Sequence, residues 1–134
     1  MGISAEGGGE HWQIFKKSVD IPKFKEYIEG LRADNKDKKI AIFMDNLSVH
    51  HSRKTKEALA ELEIPYVFNV AYSPELNPIE LVFSQIKRHF YNERSTALVK
   101  GKKPDIVKLI KRAVENLEIE KIRNCVRHSL TLIN

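Results

Sequence analysis

The segment from Lys39 to Ile86 constrains the fold most narrowly. Ile40-Ala41-Ile42-Phe43-Met44 is an unbroken apolar run, the pattern of a strand buried on both faces, and it stops at Asp45-Asn46. Ile64 to Val70 is a second such run, broken only by polar tips. Between them Ser52 to Leu62 reads as a helix with Ala58 and Leu62 on its apolar side. Strand, helix and strand within about 30 residues make a βαβ unit, so the two strands should be parallel with a right-handed crossover. The second strand leads through Ala71 to Leu76 into Asn77-Pro78-Ile79-Glu80, where Asn77 suits an N-cap and Pro78 a first helical position. One acid, Asp45, ends a strand, and another, Glu80, opens a helix. Both belong at the carboxyl edge of the sheet, where open α/β folds keep their chemistry.

Two carboxylates meeting there suggest a magnesium site. Magnesium takes oxygen ligands, typically one or two carboxylates completed by water and phosphate. In two-metal sites the ions lie about 4 Å apart, one at the attacking and one at the leaving oxygen. Asp45 would be the bridging ligand, rigidly placed at a strand end, with Glu80 reaching in from the helix. The same residues also fit structural patterns. Asp-Asn after a strand is a common turn, and Asn77 to Glu80 has the spacing of a capping box, with Glu80 bonding back to the Asn77 backbone.

The rest of the chain divides around this core. Residues 1–19 read as a β-hairpin: a stub of strand, a turn at Gly7-Gly8-Gly9, and a loosely alternating strand from His11 to Val19. Residues 20–91 hold the core, entered by a helix capped at Asp20 with Phe24, Tyr27, Ile28 and Leu31 on one face. The helix after Asn77 should run to about Tyr91, burying Ile79, Val82, Phe83, Ile86 and Phe90. Residues 92–134 read as a basic loop to Pro104, a helix over Asp105–Leu117 on Ile106, Ile110, Val114 and Leu117, and a last helix on Ile122, Val126 and Leu130. Together they make one α/β domain over 1–134.

Charge is divided along the chain. Residues 1–80 carry 11 Lys/Arg against 13 Asp/Glu, and residues 81–134 carry 12 against 5, giving −2 and +7. An acidic site beside a basic third fits a polyanion that meets a metal centre, or else a solvated helical face. The single Cys125 excludes an internal disulfide, and no Cys/His cluster has zinc spacing. No apolar run approaches the roughly 20 residues of a membrane span.

Asp45-Asn46 with His50 close behind, then Tyr72-Ser73-Pro74-Glu75-Leu76-Asn77-Pro78-Ile79-Glu80 and a helix carrying Lys87-Arg88, resembles the catalytic core of mariner-type DDE transposases and related bacterial insertion-sequence transposases. Thirty-four residues separate Asp45 from Glu80, a spacing typical of that superfamily. Ser4-Ala5-Glu6-Gly7-Gly8 and the hairpin after it are similar to the family's second and third strands. The resemblance implies an RNase H-like mixed sheet flanked by helices. It also implies magnesium-dependent cleavage of DNA and transfer of the new 3′ end, with Mn2+ able to substitute. Asp45 and Glu80 match the family's second and third acids. Asn46, His50, Ser73, Asn77 and Pro78 are supporting positions. Lys87, Arg88, Lys102, Lys103, Lys108, Lys111 and Arg112 are candidates for holding DNA.

Two features depart from the family. Phe83 is the nearest aromatic where many members carry Trp on the helix after the last acid. The strand bearing the first acid precedes the hairpin in the family and has no counterpart here. Glu6 and Glu10 flank the glycine turn and Asp20 caps a helix, so none replaces it. The resemblance therefore implies a core with its first strand missing, weak or inactive alone, whose open sheet would accept a strand from an upstream fragment or from a second copy. Its partner would be DNA rather than a membrane, in the nucleoid-bearing cytoplasm of a prokaryote or the nucleus of a eukaryote. Two other readings are a non-catalytic remnant that binds DNA through its basic C-terminal helices, and a different RNase H-like nuclease.

Overall fold

The computed structural model describes residues 1–4 and 9–133. The Gly7-Gly8 turn and the side chains of Glu6 and Glu10 lie outside the described residues. Strand β1 (Gly2–Ile3) pairs antiparallel with β2 (Gly9–His11), Gly2 facing His11 and Ile3 facing Gly9. The second strand was expected to continue to Val19, but it ends at His11. A ladder needs a partner, and β1 supplies only two residues. His11 then anchors the hairpin to the next helix: its Nδ1 lies 2.7 Å from Asp34 Oδ2, and its carbonyl accepts from the Tyr27 hydroxyl at 3.3 Å. The ring lies against Gly30, where a Cβ would stand 2.7 Å from His11 Nε2, so only glycine permits this approach.

Helix α1 (Ile21–Asp34) starts where the sequence places it, with Asp20 Oδ1 accepting from Lys23 N. It buries Phe24, Ile28 and Leu31. Strand β3 (Ile42–Met44), the short helix α2 (Ser48–His51), helix α3 (Arg53–Glu61) and strand β4 (Tyr66–Phe68) form the βαβ unit. The strands are parallel, with Ile42, Phe43 and Met44 facing Tyr66, Val67 and Phe68. Ser52 caps α3 by accepting from Thr55 N. Side chains alternate across a strand. Ile40, Ile42 and Met44, with Tyr66 and Phe68, pack into a core with Phe24, Ile28, Leu59 and Ile64. Phe43 and Val67 point the other way and are 44% and 63% exposed. The expectation of strands buried on both faces is thus corrected: this ladder is covered on one.

The reason lies in the second half of the chain. Helix α4 (Pro78–Val99), helix α5 (Ile106–Glu115) and helix α6 (Ile119–Ile133) pack mainly on one another. Val82, Ile122 and Cys125 form their buried centre, and Met1 and Ile3 lean against it from β1. The mixed character of the sheet is present, but it is split into two ladders, β1–β2 and β3–β4. A groove of about 770 Å³ separates them.

Helix α4 continues eight residues beyond Tyr91, so most of the expected basic loop is helical. Glu93 to Val99 contains no Gly or Pro to stop it. It ends at Gly101, whose φ of 67° is left-handed. Lys102 N donates to Ala97 O and Gly101 N to Leu98 O, the paired bonds of a Schellman cap. In α5 the buried positions are Leu109 and Ala113, while Ile106 is 45% exposed. In α6 Ile122, Cys125 and Ser129 are buried and Leu130 is exposed.

Candidate active site

Asp45 follows the last residue of β3, and Glu80 is the third residue of α4. Each comes from a different half of the molecule, yet both line the groove between the ladders. The side chain of Asp45 is 38% exposed, but its Oδ1 is shielded from solvent. His50 Nδ1 lies 2.7 Å from that oxygen and 3.2 Å from the Asp45 carbonyl. The ring is aligned with the carbonyl, so Oδ1 makes a close contact without an aligned hydrogen bond. A buried acceptor lacking a hydrogen bond carries a desolvation cost of about 1–3 kcal/mol. Such an oxygen suits a cation as ligand.

Glu80 does not close a capping box. The Asn77 N–H donates to Pro74 O at 2.9 Å, and Asn77 Oδ1 accepts from Ile79 N at 3.3 Å. The cap is therefore complete without the glutamate. Among the described residues the Glu80 carboxylate has no ion-pair or hydrogen-bond partner, and the residue is exposed.

The supporting positions brace the ends of both strands. Asn46 Nδ2 donates to Asn69 O at 2.6 Å, joining the tip of β3 to the tip of β4. His50 packs on Phe24 at 4.4 Å between ring centroids. The Ser73 carbonyl accepts from Asn69 Nδ2 at 2.7 Å. Asn77 is buried as the N-cap of α4, and Pro78 is its first residue. Two contributors escape the sequence reading. Asn69 is buried and, besides accepting from Asn46 at its carbonyl, makes three further bonds: its N–H to Met44 O, Nδ2 to Ser73 O, and Oδ1 from Val70 N. His51 stacks on Phe68 at 3.9 Å, and its Nε2 lies 3.0 Å from Asn46 Oδ1. Because Asn46 Oδ1 accepts, Nε2 is the protonated nitrogen. The only sequence signals were the His50-His51 doublet and an Asn ending a strand.

The basic candidates are scattered rather than gathered. Lys87 and Arg88 are exposed on α4, and Lys102 and Lys103 lie in the turn after it. Lys108 is 3.9 Å from Asp105, and Arg112 is 3.9 Å from Glu93, two exposed pairs of small energetic weight. Lys111 is exposed on α5.

A family model described as DDE superfamily endonuclease matches residues 1–100. This chain belongs to that family. Among solved structures it is similar to the catalytic domain of Mos1 transposase with raltegravir and manganese, at 18% identity and a TM-score of 0.63, over 91% of this chain and 64% of that one. The same domain with raltegravir and magnesium matches at 18% identity and 0.56, over 84% and 58%. The chain thus spans less than two thirds of those catalytic-domain chains. At that identity the likeness establishes the fold, a mixed α/β arrangement of the RNase H-like kind. No curated protein matches the chain.

Among the described residues no three His, Cys, Asp or Glu side chains gather closely enough to hold a metal. Asp45 and Glu80 fit a hard ion that takes its remaining oxygens from water and phosphate. His50 is a poor magnesium ligand, because imidazole suits softer metals. Among the described residues no helix is long and apolar enough to cross a membrane.

Proposed function

We propose that this chain is a transposase catalytic core, acting on DNA phosphodiesters with Mg2+ or Mn2+ held by Asp45 and Glu80. The carrying observation is that these two acids reach one groove from separate halves of the fold, one with a shielded oxygen lacking a hydrogen bond and the other with a partnerless carboxylate. When bound, a divalent ion would supply charge to polarise the phosphate and lower the pKa of a water. Asp45 presents its carboxylate from a strand end fixed by Asn46, His50 and Asn69. Glu80 approaches on the first turn of α4, which Asn77 and Pro78 set in place. Phosphodiester transfer asks little more of a protein than positioning and charge.

Two acids are one short of a two-metal set, and the groove offers a place for the third. Ile42 N–H donates to Pro65 O and Met44 O accepts from Asn69 N, so both bond toward β4. In a parallel ladder the residue between them, Phe43, then directs its N–H and C=O to the opposite edge. That edge faces the groove, with β1 across it. The lining is largely apolar, including Ile3, Phe24, Ile28 and Met44. A strand added there would pair with an open edge, cover apolar surface, and carry a carboxylate to Asp45. We assign this strand to a separate or upstream segment rather than a second copy, because the described residues offer no spare acidic strand of their own.

The deciding experiment is nicking of supercoiled plasmid in Mn2+, with the chain alone and with an added strand segment carrying one Asp. Activity should appear only with the segment and vanish in Asp45→Ala and Glu80→Ala. Nicking by the chain alone, lost in both variants, would show that two acids suffice. A dimer that nicks without the segment would move the strand to a second copy.

A further inference from the structure

On the far side of α4 from the groove lies a small polar cleft of about 90 Å³. It is walled by Gln85, Arg88, His89 and Asn92 on α4, by Asn116 at the end of α5, and by Lys121 in the first turn of α6. No carboxylate lines it. Arg88 and His89 have no acidic partner among the described residues, while Lys121 is offset by Glu118 at 2.6 Å. Three carboxamides and three basic groups from α4, the end of α5 and the start of α6 therefore converge on a space that would hold several waters. This is donor-rich chemistry suited to a tetrahedral oxyanion, with an Arg that can bond two oxygens at once.

We propose that this cleft seats one backbone phosphate of bound DNA. The proposal rests on the nuclease reading. Helix α4 links the two places: Arg88 is eight residues past Glu80, about 12 Å along the axis at 1.5 Å per residue. The cleft fixes the register of the duplex and reads no sequence, as phosphate contacts do.

The test uses the whole chain and a fluorescent 20-base-pair duplex in a salt series. Arg88→Gln with Lys121→Gln should weaken binding several-fold and lower the slope of log K against log salt by about 0.9, one phosphate contact. Lys36→Gln, outside the cleft in the turn after α1, should leave the slope nearer the parent's. In a second arm inorganic phosphate is titrated alone, and the backbone amides of His89 and Asn116 should shift in the parent and not in the double variant. An unchanged slope in a parent that binds DNA, or equal phosphate shifts in both proteins, overturns the cleft assignment. A parent that takes phosphate in the cleft yet binds no DNA refutes the nuclease reading and the DNA part of this proposal with it. Tighter binding of an acidic peptide than of the duplex overturns the choice of ligand.

Discussion

The two halves of the molecule hold their acids in opposite ways. The β3–β4 half packs Phe24, Ile28, Met44, Leu59 and Ile64 into one cluster and fastens Asp45 through Asn46, His50, His51 and Asn69. The helical half packs Val82, Ile122 and Cys125 and carries Glu80 on its rim with no partner. One carboxylate is preset, whereas the other is free to adjust. A site built across a groove between two small cores gains adjustability at the expense of rigidity. Closing it needs something that touches both sides.

The largest expected effect probes whether the halves unfold together. Leu59 is fully buried in the first cluster. Leu59→Ala should cost about 2–5 kcal/mol. Because the helices of the second half pack mostly on one another, amide exchange in α4 and α6 should stay slow while α1 and α3 lose protection. Equal loss across both halves would show a single cooperative unit and remove the contrast.

A smaller change loosens the fastened acid without touching it. Asn69 ties β3, β4 and the loop to Ser73, and Asn69→Ala removes its two side-chain bonds while leaving its backbone bonds to Met44 and Asn46. The expected cost is about 1–3 kcal/mol, with the Val70–Leu76 loop becoming mobile by NMR relaxation. His51→Ala should do less, since His51 is exposed and acts through Asn46. If the two variants prove equally mild, the fastening at Asp45 comes from the strand pairing alone.

Much of this was readable from the residues. The Asp20 and Asn77 caps and the helix face of α1 follow from local patterns and stand where the pattern puts them, and the two strands form within the apolar runs. The positions of Asp45 and Glu80 were legible because one residue ends a strand and the other opens a helix. The split of the sheet was not, since an apolar run looks alike whether one face or two are covered. The end of α4 was misplaced because Asn92, Ser95 and Thr96 look like loop residues; Thr96 instead folds its hydroxyl onto Asn92 O at 2.9 Å and stays helical. Asn69 and His51 carry only faint signals in the sequence, and it is the meeting of β3 with β4 that gives them work.

The helix ends allow a gentler comparison between the halves. Gly101, in the left-handed region at the end of α4, has open space around its Cβ position. Gly101→Ala should therefore cost only the backbone term, about 1–2 kcal/mol, measured by thermal unfolding. A neutral result would mean the Schellman cap is not limiting the stability of the helical half.

The smallest effect lies at the start of α1. The Lys23 backbone N–H donates to Asp20, which lowers the carboxyl pKa in the folded chain below its ordinary value, with the Lys23 side chain assisting. A depressed carboxyl pKa adds stability that is present above the unfolded value of about 3.9 and lost as pH falls through the folded one. Asp20→Asn keeps the capping oxygen but not the charge. Urea denaturation from pH 6 to pH 2 should then show the parent slightly more stable at pH 6, with the gap closing below about pH 4. A gap that persists to pH 2 would place the effect in the cap's geometry instead. The first half would then be held at this point by shape rather than by charge, as Asn77 already holds the start of α4.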